Sequence, residues 1–258
     1  MPGVSAPCLT CLCGENEGAR RRTRNAIKFA LVKIHRYLHH GRIAEGAEVP
    51  SGATLLPPVV PGKIVCVGRN YADHAKELGN DVPTEPLIFL KPPSALLAPE
   101  GTIVLPAASQ QVEYEGELVI VVGREARNIA KASWRDYVRG FTCANDVTAR
   151  DLQKKDVQFT RAKGFDTFCP IGPAIETELD PADLAVTTRL NGEVRQSGRT
   201  SQFIFPCDFL FEFITSVMTL MPNDIILTGT PAGVGPMSPG DRVEVEIEGI
   251  GVLRNVVA

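Results

Sequence analysis

Little in this sequence commits it to a membrane, to nucleic acid or to a disulfide framework. No apolar run approaches the roughly 18 residues that a spanning helix needs. The longest candidate, from Phe203 to Met221, is interrupted by Pro206, Asp208 and Glu212. The charge excess is only -3, from 27 Lys and Arg against 30 Asp and Glu, so nothing electrostatic favours nucleic acid or an anionic membrane as partner. Any attraction for an anionic substrate must come from a local site. Cysteine is odd in number at seven, and Cys66, Cys143, Cys169 and Cys207 sit inside apolar stretches, as small core residues of a reducing compartment do. A cytoplasmic location is expected.

The remaining cysteines, Cys8, Cys11 and Cys13, lie in a leader that ends in a basic run at Arg20, Arg21, Arg22 and Arg24. A structural zinc site wants four ligands, and no fourth cysteine or well-spaced histidine follows nearby. The leader has no apolar core for a secretory signal, and Glu15 and Glu17 weaken a mitochondrial one. Residues 1–26 are therefore expected to be a disordered leader. Residues 27–62 read as a small N-terminal module, with a strand at Ile27–Val32, a turn at Gly41 and a Pro-rich linker. Residues 63–258 read as the catalytic domain.

Within that domain short β-type runs follow one another: Lys63–Gly68, Leu87–Lys91, Thr102–Pro106 and Glu117–Gly123. Asn191-Gly192 between two such runs is a type I′ hairpin signal. Helices are expected at Ser133–Arg139, Arg150–Asp156 and Cys207–Met221. Strands outnumber helices without regular alternation, which argues for an α+β fold of packed, mostly antiparallel sheets.

Four stretches carry chemistry. In Glu113-Tyr114-Glu115-Gly116-Glu117 the residues at i and i+2 face one side of a strand, so Glu115 and Glu117 project together ahead of an apolar run. Such a pair either meets a hard cation through its oxygens or is a charged strand edge that discourages aggregation. Asp146, after the apolar stretch Phe141–Ala144, is either a third oxygen ligand or a turn or helix-capping aspartate. His74 and Glu77 at i and i+3 share one helix face; a carboxylate beside an imidazole fixes its tautomer and supports general-base work, although a solvated surface pair reads the same way. Thr228–Gly235, after a strand at Asp224–Leu227, is either a ligand-holding loop or a tight turn; it has neither P-loop nor G-x-G-x-x-G order.

From about Ile64 to Val256 the sequence resembles the fumarylacetoacetate hydrolase family. The resemblance rests on GRNYADHAKEL, PLIFLKP, YEGELVIVVG, CANDVTARDLQ, RAKGFDTFCPIGP, LNGEVRQSG and ILTGTPAGVG, in that order and spacing. It implies a mixed β-sandwich roll behind a small N-terminal module, in a homodimer. It implies a divalent cation, Mg²⁺ or Mn²⁺, on Glu115, Glu117 and Asp146, with Glu113 outside the set. His74 with Glu77 would be the catalytic dyad, carried on a segment that orders over bound substrate. Lys163 would lie beside the metal and the substrate oxygens, Arg150 and Gln153 would line the site, and Thr230 would grip the substrate carboxylate. The implied substrate is a small 2-oxo or enol acid, with acylpyruvate hydrolysis or oxaloacetate decarboxylation preferred. The alternatives are a 2-hydroxyhepta-2,4-diene-1,7-dioate isomerase or a 5-oxopent-3-ene-1,2,5-tricarboxylate decarboxylase of aromatic catabolism, and an inactive relative that binds a small molecule.

Overall fold

The computed structural model describes residues 33–258. The cysteine-bearing leader and the strand expected at Ile27–Val32 lie outside the described residues. The first described strand, Lys33–His39, turns through His40-Gly41 into Arg42–Gly46, and its start pairs with Cys169–Glu176 of the main sheet.

The heart of the fold is the strand Gly116–Val122, in which every residue is buried. Its side chains alternate between two cores, as a pleated strand requires. Val119 and Val121 enter one cluster with Ile64, Phe168 and Ile171, whereas Leu118, Ile120 and Val122 enter another with Phe141, Leu210 and Phe211. Val138–Asn145 pairs antiparallel on one side of this strand and Ile225–Leu227 on the other. Ile64–Gly68 then adds in parallel to Ile225–Leu227, and Leu87–Lys91 closes that edge. A five-stranded sheet holding Ala185–Leu190, Glu193–Arg199, Arg242–Ile247 and Gly251–Val257 packs against it. The result is an α+β fold of mixed sheets with few helices, matching the expected class.

The hairpin at Asn191-Gly192 has both residues at positive φ, 54° and 85°, as a type I′ turn demands. Two helices differ from expectation. The one expected at Ser133–Arg139 is a 3-10 segment at Lys131–Tyr137, and Val138 and Arg139 already belong to the next strand. Gly140 does not end a helix: it sits in that strand, where a Cβ would come within 2.4 Å of the Glu176 carbonyl oxygen. The helix expected to reach Met221 stops at Val217, because Leu220 turns away to exchange two backbone hydrogen bonds with Ala126. Among the described residues no helix is long and apolar enough to cross a membrane.

Candidate active site

Three carboxylates converge at the mouth of the central strands. Glu115 and Glu117 flank Gly116, whose missing side chain is what lets the chain lie flat there: a Cβ would stand 2.1 Å from Thr188 Oγ1. Both glutamates therefore project away from the five-stranded sheet. Asp146 follows the neighbouring strand Val138–Asn145, and its amide donates to the Glu115 carbonyl at 2.8 Å. Glu115, Glu117 and Asp146 each offer an oxygen, all within 4.8 Å of one another, and all three are buried.

Burial of three acids has to be offset. Lys163, on the short helix Thr160–Lys163, places its ammonium 2.7 Å from both Glu115 and Asp146. Arg150 donates to Glu113 at 2.7 Å, to Gln153 at 2.6 Å and to Glu115. Lys91 lies 2.5 Å from the other oxygen of Asp146. Burial works to raise the Glu115 carboxyl, but Lys163, Arg150 and His74 outweigh it and hold that group below the usual carboxylate range. Lys163 is held above its ordinary value, since Asp146 and Glu115 overcome its burial. Glu117 is the exception. Its Oε2 accepts the Gly229 amide at 2.6 Å, but among the described residues no cation pairs with it. Burial, Asp146 and Glu115 together push its carboxyl well up.

This imbalance tests whether a divalent cation fits. The donor set is all oxygen, four carboxylates counting Glu113 face only the three cations Lys91, Arg150 and Lys163, and the carboxylate left without a cation is Glu117. A hard cation suits all three facts, and the residues present fit it.

His74 and Glu77 share the helix Ala72–Glu77, with Nδ1 3.1 Å from Glu77 Oε2. Glu77 also accepts the Gly233 amide at 3.0 Å, which ties the helix to the loop after Ile225–Leu227. A cavity of about 210 Å³ opens onto the trio; His74, Arg150, Gln153, Lys163 and Thr230 also line it. Of the nine residues singled out from the sequence, eight line this cavity and Glu77 stands behind His74. The Thr230 hydroxyl donates to the Gly116 carbonyl at 2.9 Å and accepts from Gln196 at 2.7 Å, so it would have to turn to reach a substrate. Two residues had not been singled out. Lys91 had a signal, a lysine closing an apolar strand run, whereas Gln196, the buried residue of an otherwise polar strand stretch, had none.

Comparison with known proteins shows the family of the chain. Residues 63–258 match the fumarylacetoacetate (FAA) hydrolase C-terminal family. The human mitochondrial oxaloacetate tautomerase FAHD2A is 44% identical over 233 residues, covering 84% of this chain and 74% of that protein. The crystal structure of 5-carboxymethyl-2-hydroxymuconate delta-isomerase from Mycobacterium smegmatis superposes with a TM-score of 0.81 at 43% identity, covering 88% of this chain and 98% of that one. That of 2-hydroxyhepta-2,4-diene-1,7-dioate isomerase from Mycobacterium marinum gives 0.80 at 42% identity, with coverage of 88% and 98%. The chain belongs to the fumarylacetoacetate hydrolase family.

Proposed function

We propose that this protein is a divalent-cation-dependent enzyme that moves a proton at the carbon beside the keto group of a small 2-oxo acid, interconverting keto and enol forms. The observation that carries this reading is His74, backed by Glu77, lining the same small cavity as Lys163 and the carboxylate trio. The names of its relatives, an oxaloacetate tautomerase and two dienoate isomerases, support proton transfer as the shared step.

Glu115, Glu117 and Asp146 would hold the cation, Mg²⁺ or Mn²⁺ by the hardness of the donors, which when bound would supply Lewis-acid polarisation to the 2-oxo acid. The chain's own residues do the rest. With Nδ1 engaged by Glu77, His74 keeps Nε2 for substrate, takes the proton from C3, and returns it to the C2 oxygen. Lys163 supplies positive charge where negative charge develops on that oxygen. Arg150, fixed by Glu113, Glu115 and Gln153, keeps Glu115 aimed at the cavity. Phe89, Phe159 and Leu78 line the sides and limit water. Decarboxylation of oxaloacetate and hydrolysis of an acylpyruvate build charge on the same oxygen and are second outcomes of the one arrangement.

The test is a substrate panel of oxaloacetate, acetylpyruvate, fumarylpyruvate and a 2-hydroxydienedioate, each with Mg²⁺, Mn²⁺ and EDTA. Enol absorbance and deuterium uptake at C3 are followed beside product formation. Cation-dependent deuterium uptake faster than any bond cleavage is expected. Cleavage without prior exchange would replace tautomerisation by hydrolysis or decarboxylation, and activity unaffected by EDTA would remove the cation.

A further inference from the structure

The cavity has cationic lining beyond the groups that pair with the trio. The trio sits at its buried floor, where every cation is already engaged: Lys163 and Lys91 on Asp146, Arg150 on Glu113 and Glu115. Nearer the solvent two further cationic residues line the same cavity, the partly buried Arg69 and the exposed Lys154. Among the described residues neither has an ion pair or a hydrogen bond. An arginine held at the wall of a small cavity with its five donors unused is complementary to an anion.

The backbone shows that Arg69 is placed there by the fold. Its φ is 59°, in the left-handed region that strains a non-glycine residue. The next residue explains why the chain accepts this. The Asn70 side-chain amide donates to the carbonyls of Phe205 at 3.0 Å and Thr228 at 2.8 Å, and its oxygen accepts the Phe205 amide at 2.8 Å. Asn70 also packs under Gly229, where an added Cβ would come within 2.7 Å of Asn70 Cβ. With Gly68 held in the sheet and Asn70 pinned on three sides, the turn between them is fixed with Arg69 in the cavity lining.

From this we infer that Arg69, assisted by Lys154, binds a second carboxylate at the far end of the substrate, so that the enzyme prefers 2-oxo dicarboxylates over 2-oxo monocarboxylates. Arg69 is thus a specificity-determining residue whose fork closes on the group that does not react. The inference rests on the 2-oxo acid reading of the floor, and it adds what the rim selects. The apolar part of the lining, Val67 and Phe89 among it, suits the short carbon chain joining the two charges.

The test compares acids of equal length that differ only in the distal group, using wild type, Arg69→Gly, Arg69→Lys and Lys154→Ala, all with Mg²⁺. Glycine tolerates φ 59°, so Arg69→Gly removes the guanidinium without adding strain, and an unchanged Tm shows that the fold is intact. Turnover is read as deuterium uptake at C3 of oxaloacetate and of 2-oxobutanoate. Binding is read by calorimetry with 2-oxoglutarate and 2-oxopentanoate. A charge-assisted hydrogen bond is worth roughly a 10- to 100-fold difference in affinity. The expected result is a rise of that order in KM for oxaloacetate in Arg69→Gly, with kcat little changed. 2-Oxobutanoate should stay within about 3-fold, and Arg69→Lys should restore part of the loss. Lys154→Ala should give a smaller loss in the same direction. Equal losses for both acids would make Arg69 a general or structural residue and overturn the inference; so would no loss for either. If wild type exchanges neither acid, the proton-transfer reading falls by itself, and the binding arm decides the rim. Tighter binding of 2-oxoglutarate than 2-oxopentanoate, abolished in Arg69→Gly, then upholds the second carboxylate site, and equal binding rejects it.

Discussion

The Lys91 ammonium stands 2.5 Å from Oδ1 of Asp146, and the two side chains are sealed from solvent at 0% and 2% exposure. Lys163 holds the other oxygen of the same carboxylate at 2.7 Å. Asp146 is therefore clamped between two ammonium groups.

Removing one partner of a buried pair typically costs about 3–5 kcal/mol. Lys163 remains on Asp146, so Lys91→Met should fall at the lower end, a loss of about 3 kcal/mol in urea unfolding with EDTA present. Adding Mg²⁺ should recover part of that loss, since a cation at the trio replaces the missing countercharge. An unchanged denaturation midpoint would show that the clamp contributes nothing.

Glu117 predicts a pH dependence. Its carboxyl is held well above the ordinary range by burial and by Asp146 and Glu115. The folded protein thus binds this proton more tightly than the unfolded chain. The stabilisation is complete below the unfolded carboxyl value of about 4.3 and disappears as pH rises through the raised folded value. Glu117→Gln keeps a neutral group at every pH. In EDTA it should melt above wild type at neutral pH, by roughly 2–8 °C, with the gap closing as pH falls towards about 4. Mg²⁺ should reverse the order by raising the wild-type Tm alone. A variant that melts below wild type in EDTA at neutral pH would contradict the assigned shift.

His74→Ala should lower kcat by about 10²–10⁴ while the Mg²⁺ affinity stays within a few-fold, because the role proposed for the imidazole is proton transfer and it is outside the trio. Glu77→Gln should lose less. Loss of metal binding in His74→Ala would reassign the histidine as a ligand.

The segment after the dyad has little to hold it. Gly79, Asp81, Val82, Thr84 and Glu85 are exposed, whereas His74 and Ala75 are buried. Hydrogen exchange should be fast across residues 79–85 in the free protein and slow when oxalate and Mg²⁺ are bound, as for a lid that closes on a ligand. Identical exchange in the two states would mean a preformed site.

How much of this was legible depended on how far apart the partners lie in the chain. Glu115 and Glu117, two residues apart in extended chain at the start of one strand, and His74 and Glu77 on one helix, are local pairs, so the periods of the elements reveal them. The bond from Lys91 spans 55 residues to Asp146, and that from Gln196 spans 34 to Thr230. Neither partner announces the other. Lys91 is marked locally only as a lysine closing the apolar run Leu87–Leu90, and nothing local names Asp146 as its partner. The same limit explains the misplaced helix at Ser133–Arg139. Its capping serine is a local feature, whereas the pairing of Val138 with Val122 and the hydrogen bond from the Gly123 amide to the Tyr137 carbonyl are tertiary.

The strand pair Ile64–Gly68 and Ile225–Leu227 has a temporal consequence. It joins segments about 160 residues apart, as in the bond from Lys63 to Asp224 with a separation of 161. Contacts of that span close late, after the loop entropy between them has been overcome. The amide that holds Glu117 comes from Gly229, and the one that holds Glu77 comes from Gly233. A chain still emerging from the ribosome therefore has its acidic residues long before it has their anchors. A cation that needs the assembled trio cannot template folding and acts only on the finished protein, so it should slow unfolding and leave the refolding rate unchanged.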